Sequence, residues 1–224
     1  MTPMFSLTEH HVEFRTVVRQ ICVDRIAPRA AEIDETGEFP WDVKEVMADN
    51  GLLGLHIPEE YGGSGADTLT FCILVEEVAR VCASSSIIPL VQKLGSMPIT
   101  MGASDAQKSD WFPAIASGEQ LISYCLSEPG AGSDPAAMLT SARREGDEWV
   151  LDGTKVWISN AGVSSLYAVL PRPIPPPAPA ASRPFWCAPT TPASRWASTR
   201  TSSARAARRP PRCTSTAAAS PRTA

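Results

Sequence analysis

The stretch YCLSEPGAGSD at residues 124–134 decides how the second half of this sequence folds. It continues an apolar run, residues 121–126, whose length and composition predict a β-strand, and then enters a loop with two glycines. A loop of this kind exposes backbone N–H groups and lets a large ligand approach the main chain. The dinucleotide fingerprint G-x-G-x-x-G is absent, and a Gly-Ala-Gly-Ser-Asp turn taken alone is more often only a turn.

A second stretch, LDGTKVWISNAG at residues 151–162, favours a ligand-binding loop over a simple turn. Residues 156–159 predict a short strand, on which Trp157 and Ser159 would point to the same side. A tryptophan inside a strand usually belongs to the core. Here its flat apolar face stands beside a hydroxyl, and that pairing suits a planar heteroaromatic ring with polar edges. Further strands are predicted at residues 140–144, 149–151 and 167–170.

The residues before the first strand predict helices. Apolar side chains recur at three- and four-residue spacing from Leu7 to Ile26, with Ser6 and Glu9 as a capping box and Pro28 as the site of a kink. Further helices are predicted at residues 42–50, 67–83, 87–95 and 106–116. The predicted fold class is therefore α+β. An all-α domain spans residues 1–120, a truncated antiparallel β-barrel-like domain spans 121–170, and a disordered tail spans 171–224.

Charge and cysteine content exclude several classes of protein. Residues 1–170 carry 24 acidic and 11 basic side chains, which argues against nucleic acid as a partner because phosphate binding needs clustered cations. The six cysteines form no C-x-x-C pair, and no signal peptide or long apolar run occurs. We therefore expect reduced, buried thiols in a cytoplasmic protein that has no metal site and no membrane contact.

Together the two stretches resemble the acyl-CoA dehydrogenase family. The earlier segments LLGLHIPEEYGGSGAD (52–67) and LVEEVARVCAS (74–84) resemble it too, so that the resemblance covers residues 5–170. It implies bound FAD, an acyl-CoA substrate, transfer of electrons to an electron-transfer flavoprotein, and a homotetramer.

The resemblance also assigns site residues. Tyr124, Leu126 and Ser127 match positions on the pyrimidine side of the flavin, and Trp157 and Ser159 match the pair that flanks the isoalloxazine. Gly132 and Ser133 match the loop beside the pyrophosphate and the acyl-CoA chain, so Ser133 is also a substrate-binding candidate. Asp134 is expected to organise the loop by local hydrogen bonds.

No catalytic base is assigned within this sequence. In the family, a glutamate from the C-terminal helical domain takes the α proton while hydride leaves Cβ, and no segment here resembles that domain. Glu76, Glu77 and Glu128 are not expected to replace it, and the histidines at 10, 11 and 56 are expected on the surface. We therefore expect a truncated, inactive product.

Other functions remain open at this stage. Acyl-CoA oxidases and flavin monooxygenases use the same scaffold and differ in how oxygen reaches the reduced flavin. A non-catalytic fragment that binds acyl-CoA or a protein partner is the second alternative. A basic nucleic-acid arm formed by the tail is disfavoured, because such arms usually carry Lys and Gly and the tail offers no aromatic platform.

The composition breaks sharply at residue 171. The last 54 residues contain 12 of the 21 prolines and nine arginines, and they lack Lys, Asp, Glu and Gly. Reading the possible codons one base out of register permits a string that resembles the continuation of the same family's β domain. We therefore hypothesise a frameshift just after Leu170, which would leave the strand at residues 167–170 without partners.

Nucleotide sequencing across codon 170 tests the frameshift. We expect that adding or removing a base there opens a second frame that continues the family pattern, because the visible match and the hidden one meet at this point. A single uninterrupted frame, with no slippage at this codon, would contradict the hypothesis.

Overall fold

The computed structural model describes residues 6–145, 148–172, 185–187 and 212–213. They fall into two compact units, Met1–Leu90 with Phe112–Glu119 and Val91–Trp111 with Gln120–Ala224. None of the described helices is both long and apolar enough to span a bilayer. The helices are α1 Glu9–Ile21, α2 Ala30–Thr36, α3 Trp41–Asp49, α4 Thr68–Val81, α5 Ala83–Gly102 and α6 Asp105–Ala116. The strands are β1 Ile122–Cys125, β2 Ser141–Glu145, β3 Glu148–Asp152, β4 Leu166–Val169, β5 Phe185–Cys187 and β6 Arg212–Cys213. The α+β class is thereby confirmed.

Helix α1 begins two residues later than the capping pattern predicted. Its N-cap is Thr8, whose side chain accepts a hydrogen bond from the His11 backbone N–H at 3.4 Å. The His11 ring completes the capping box through Nδ1, 3.4 Å from the Thr8 backbone nitrogen. The prediction of Ser6 and Glu9 was wrong because a histidine nitrogen can replace the glutamate oxygen. Since His11 is only 8% exposed, its predicted surface placement was also wrong.

The chain loses α-helical geometry where the proline was expected to disturb it. A π-helical turn, Cys22–Ile26, and a 3-10 turn, Ala27–Arg29, separate α1 from α2. Proline has no N–H, and its ring clashes with the carbonyl four residues earlier, so the regular ladder cannot pass Pro28. The structure thereby confirms an interruption at this point.

Glu77 joins helices α1 and α4 through a buried carboxylate. Arg19 donates to both of its oxygens, at 2.9 and 2.7 Å, and Arg80 donates to Oε2 at 3.0 Å. The hydrogen bond from Arg19 is the largest cause of a lowered pKa of Glu77, whose side chain is 2% exposed. The expectation that Glu77 is paired rather than catalytic agrees with these contacts.

The second half of α5 contacts the first strand through hydrogen bonds and close packing. The Gln92 side chain donates to the Gln120 carbonyl at 2.8 Å and accepts from the Ile122 N–H at 3.2 Å. A Cβ on Gly95 would lie 2.8 Å from the Ile122 side chain, so only glycine permits this close approach. Helix α5 is longer than the predicted residues 87–95 and contains Pro89 and Pro98.

The strands form two sheets, and the prediction of a purely antiparallel arrangement was wrong. One sheet has the order β1-β4-β5, with β1 and β4 parallel, and the other has the antiparallel order β2-β3-β6. A parallel pair needs a long connection, and residues 126–165 supply one that contains β2 and β3.

Strand β4 does not lack partners, which corrects another expectation. It pairs with β1 over four residues and with β5, Phe185–Cys187, on its other side. Strands β5 and β6 lie in the tail predicted to be disordered, so that prediction was wrong for residues 185–187 and 212–213. The rest of the tail after residue 172 falls outside the described residues.

The four cysteines whose side chains are described are free thiols, as expected, but they are not all buried. Cys22, Cys82 and Cys125 are buried, whereas Cys72 is exposed on α4. Burial raises the pKa of Cys125 to about 12, despite the nearby Lys155, so this thiol stays protonated at neutral pH. Cys187 and Cys213 lie in described strands, but their side chains are outside the description.

Substitution of Glu77 tests the junction of α1 and α4. Glu77→Gln is expected to lower the free energy of unfolding by about 2 kcal/mol, because it removes charge-assisted hydrogen bonds from a buried acceptor. Urea denaturation measures the change. The exposed neighbour provides a matched control, and Glu76→Gln is expected to change the value by less than about 0.5 kcal/mol. Equal effects at the two positions would contradict the assignment.

Candidate functional site

The loop after β1 and the segment 155–160 lie side by side although they are far apart in sequence. The Val156 N–H donates to the Ser127 carbonyl at 2.9 Å. The Ser123 hydroxyl donates to the Ser159 carbonyl at 2.9 Å and contacts the Ser164 hydroxyl at 2.8 Å. These contacts hold the segment that contains Trp157 against β1 and the loop that follows it.

Lys155 ties this region together with its ammonium group. The nitrogen donates to the Leu126 carbonyl at 2.8 Å, to Glu128 Oε1 at 2.8 Å and to the Leu170 carbonyl at 2.7 Å. The residue is 9% exposed, so its charge is compensated inside the protein rather than by water. Leu126 follows β1 and Leu170 follows β4, so the ammonium bridges the carboxyl ends of the two parallel strands.

Glu128 is the counter-ion of Lys155 and is held from several sides. Its carboxylate also accepts from the backbone N–H groups of Leu139, at 2.6 Å, and Thr140, at 3.0 Å. Burial by itself raises the pKa of Glu128, but these hydrogen bonds, led by that from Lys155, outweigh it and lower the pKa to about 2. The carboxylate is therefore ionised at neutral pH and is not available to take a proton from a substrate.

The glycine loop folds back on itself directly after Glu128. Glu128 and Ala131 exchange two backbone hydrogen bonds, at 3.0 and 3.1 Å, around the exposed pair Pro129 and Gly130. A Cβ built on Gly132 would meet nothing within 4 Å, so the protein itself does not require glycine there. The missing side chain leaves room for another molecule to approach the main chain.

Asp134 has the local role that the sequence predicted. Its side chain accepts from the Ala136 N–H at 3.0 Å and caps a short 3-10 turn, Pro135–Ala137. The side chain therefore organises the chain leaving the loop.

Trp157 departs from the strand conformation expected for residues 156–159. Its φ angle is 59°, in the left-handed region, and that of Asn160 is 60°. A bulky residue adopts this conformation only at a cost of about 1–3 kcal/mol, and such residues cluster at functional sites. The alternation argument was therefore wrong, because no strand forms here. The indole is nevertheless 67% exposed, so Trp157 is not a core residue.

Several polar groups near segment 155–160 have no hydrogen-bond partner among the described residues. Among the described residues, none accepts a hydrogen bond from the backbone N–H groups of Leu126 and Ser127, and none bonds the hydroxyls of Ser127 and Ser159. The Asn160 amide nitrogen is buried and has no partner in the same part of the chain. Unsatisfied donors beside an exposed aromatic face fit a flat ligand with acceptor atoms on its edge.

The predicted site residues fall into two groups. Hydrogen bonds near β1 involve Leu126, Ser127 and Ser159, while Tyr124 lies within β1 and Trp157 follows Val156 in the bonded segment. Tyr124 is half-buried within β1 beside Ala168 of β4, and burial raises the pKa of its phenol. Gly132 and Ser133 are exposed, and no hydrogen bond among the described residues links them to segment 155–160.

Sequence reasoning missed the residues that shape this region. Lys155 and Glu128 were not assigned to it, and neither were Ser123, Asn160 and Tyr167. The Tyr167 hydroxyl accepts from the Gly162 N–H at 3.1 Å and so fixes the turn after Asn160. One signal was available, since Glu128 and Lys155 carry opposite charges and each lies within one of the two recognised segments.

Comparison with known protein families matches two successive domains of one family. The model of the acyl-CoA dehydrogenase N-terminal domain matches residues 8–119, and that of the middle domain matches residues 123–202. The chain belongs to the acyl-CoA dehydrogenase family. The middle-domain match continues past residue 170, where the resemblance read from the sequence ends.

Curated relatives and solved structures support the membership. A probable acyl-CoA dehydrogenase, FadE25 of Mycobacterium tuberculosis strain H37Rv, is 47% identical over 167 residues, which are 75% of this chain and 43% of the relative. A glutaryl-CoA dehydrogenase structure from Mycobacterium smegmatis has a TM-score of 0.81 at 29% identity, with 95% of this chain and 57% of that chain covered. A second structure of that enzyme, in complex with FADH2, has a TM-score of 0.81 at 25% identity, with 95% and 56% covered.

The chain thus spans less than half the length of the curated relatives that it matches. A solved chain from a study described as "Electron transferring flavoprotein of Acidaminococcus fermentans" is also similar. It has a TM-score of 0.71 and 31% identity, and 75% of this chain and 44% of that one are covered. The activity of the family therefore requires a separate argument for this chain.

Replacing Trp157 tests whether its conformation is strained and its side chain is unneeded for folding. Trp157→Gly is expected to leave the free energy of unfolding unchanged or raise it by up to about 1 kcal/mol, because glycine adopts a positive φ without strain. Chemical denaturation measures the difference.

Trp149 provides the control, since it is half-buried against a cluster that includes Cys125, Leu151 and Ile158. Trp149→Gly is expected to lower the free energy of unfolding by about 3 kcal/mol. A comparable loss at position 157 would show that the indole of Trp157 is part of the core.

Proposed function

We propose that this chain is the helical and flavin-ring portion of a FAD-dependent acyl-CoA dehydrogenase. The reaction converts an acyl-CoA to the 2-enoyl-CoA by removing hydrogen from Cα and Cβ, and electrons pass to an electron-transfer flavoprotein. By itself, the chain supplies one half of the flavin site and is catalytically inactive.

The exposed indole of Trp157 carries the proposal. It is a large aromatic face in a strained backbone conformation, near the N–H groups of Leu126 and Ser127, which bond no other described residue. A relative with the same fold was solved with FADH2. An aromatic face with donors at its border matches the isoalloxazine ring, which is flat and has acceptor atoms along its pyrimidine edge.

Each residue of the site has a distinct task in this proposal. Flavin, when bound, accepts the hydride from Cβ of the acyl chain. Trp157 covers one face of the ring, while N–H groups from Leu126 and Ser127 donate to its pyrimidine edge and favour negative charge there. Ser159 and Tyr124 border the ring, and Gly132 and Ser133 leave the main chain open to the pyrophosphate and the acyl-CoA.

The proton from Cα is taken by a carboxylate that we place outside this chain. Glu77 is held by two arginines, and Glu128 is held by Lys155 and two backbone N–H groups, so neither is available as a base. Glu76 is exposed on α4 and is assigned no role. The family's homotetramer and its electron-transfer partner are likewise proposed for the intact protein.

Titration of the 224-residue chain with FAD tests the half-site. Weak binding is expected, seen as quenching of flavin fluorescence at high FAD concentration. Trp157→Leu is expected to weaken binding about tenfold, since an aromatic stacking contact contributes about 1–1.5 kcal/mol.

Trp41 serves as the matched control because it is 50% exposed on α3, outside the site. Trp41→Leu is expected to keep the parent affinity. Absence of any flavin response, or equal loss in the two variants, would overturn the proposal.

A further inference from the structure

Lys155 makes more directed contacts than a structural lysine needs. Three of its four hydrogen bonds, at 2.7–2.8 Å, go to oxygen atoms, and the fourth reaches the Met138 sulfur at 3.5 Å. The three bonds to oxygen end on three different stretches of chain, namely the exit of β1, the glycine loop and the exit of β4. One side chain therefore fixes three segments that no other single residue joins among the described parts of the chain.

The location of the ammonium is as informative as its bonds. Strands β1 and β4 are parallel, so their carboxyl ends meet at one edge of the sheet. Leu126 and Leu170 follow those ends, and Lys155 lies between their carbonyl groups. The ammonium therefore lies where the chain leaves both strands.

The direct backbone link between the two candidate flavin segments is slight. One backbone hydrogen bond, from Val156 N–H to the Ser127 carbonyl, joins them within the described residues. Both segments are irregular, so no sheet ladder fixes their relative position. Among the described residues, the other polar connections are the Lys155 bonds to Leu126 and Glu128 and, from within β1, the bond from the Ser123 hydroxyl to the Ser159 carbonyl.

Stability alone does not account for this arrangement. A buried ion pair is often no more stabilising than apolar side chains of similar volume. The same unit already has an apolar cluster formed by Cys125, Ala142, Leu151, Ile158 and Tyr167. The ion pair adds a geometric restraint, because charged hydrogen bonds hold atoms at fixed distances and angles.

We propose that Lys155, with Glu128 as its counter-ion, is a positioning residue that sets the glycine loop and the Trp157 segment in the relative geometry that binds the flavin ring. This proposal rests on the proposed function. Neither side chain touches the ring in this scheme; both act through Ser127 and Trp157.

The experiment replaces the whole pair, since a single substitution would leave one charge buried and could unfold the chain. The variant Lys155→Met/Glu128→Gln removes both charges from the 224-residue chain. The control is Arg143→Met/Glu145→Gln, which removes an exposed ion pair from β2 in the same unit. A denaturation curve identifies the variants that remain folded.

Two readouts separate positioning from folding. In the absence of flavin, the Val156 amide is expected to exchange hydrogen about tenfold faster in the double variant, because its bond to Ser127 loses support. The Leu166 amide, which donates to the Leu121 carbonyl, is the internal control and is expected to stay unchanged. In FAD titrations, the dissociation constant is expected to rise about tenfold through lost preorganisation.

The outcomes distinguish this proposal from the one on which it rests. Unchanged exchange at Val156, or unchanged FAD affinity in the folded double variant, would overturn the positioning role. Equal acceleration at Val156 and Leu166 would also overturn it, since that result means general loosening. If the parent chain bound no FAD, the proposed function would fail, and exchange alone would decide whether Lys155 orders the two segments.

Discussion

The buried ion pair between Lys155 and Glu128 is the constraint on which the rest of the second unit depends. It joins the carboxyl ends of β1 and β4, the glycine loop and the chain before β2 through five hydrogen bonds to oxygen that range from 2.6 to 3.0 Å. The pKa of Glu128, lowered to about 2, means that the carboxylate keeps its charge at neutral pH. Strands β1 and β4 are also held by their own ladder, whereas the glycine loop and the Lys155 segment are irregular and are held by these charged hydrogen bonds.

Around that anchor, the site consists of groups that the protein leaves without partners. Trp157 exposes its indole at the cost of backbone strain, and the neighbouring N–H and hydroxyl groups bond none of the described residues. Strain and unsatisfied donors are unfavourable for folding by themselves. In the proposed function, a flat ligand with acceptor atoms on its edge would offset both.

Sequence patterns predicted the helices well and the conformation of the site poorly. The periodicity of α3, α4 and α6 placed each of these elements within about two residues of its observed ends, since period and capping are local properties. Residues 156–159 were predicted as a strand because alternation says nothing about the left-handed φ of Trp157. The pairing of β1 with β4 across 40 intervening residues was equally invisible, because strand partners are chosen by long-range packing. The two segments that contribute the candidate site residues were still recognised, because their combination of residue types is unusual and can be read from the sequence.

The sequence by itself determined the family and the order of helical and β regions. It also identified the residues that are candidates for flavin contacts. Those properties follow from residue types and spacing along the chain. Only the tertiary structure decided that β1 and β4 are parallel, that Trp157 is exposed, and that Lys155 bonds the chain at the ends of both strands. The reason is physical: a buried charge is tolerated only where partners converge from distant segments, and that convergence exists only in the folded chain.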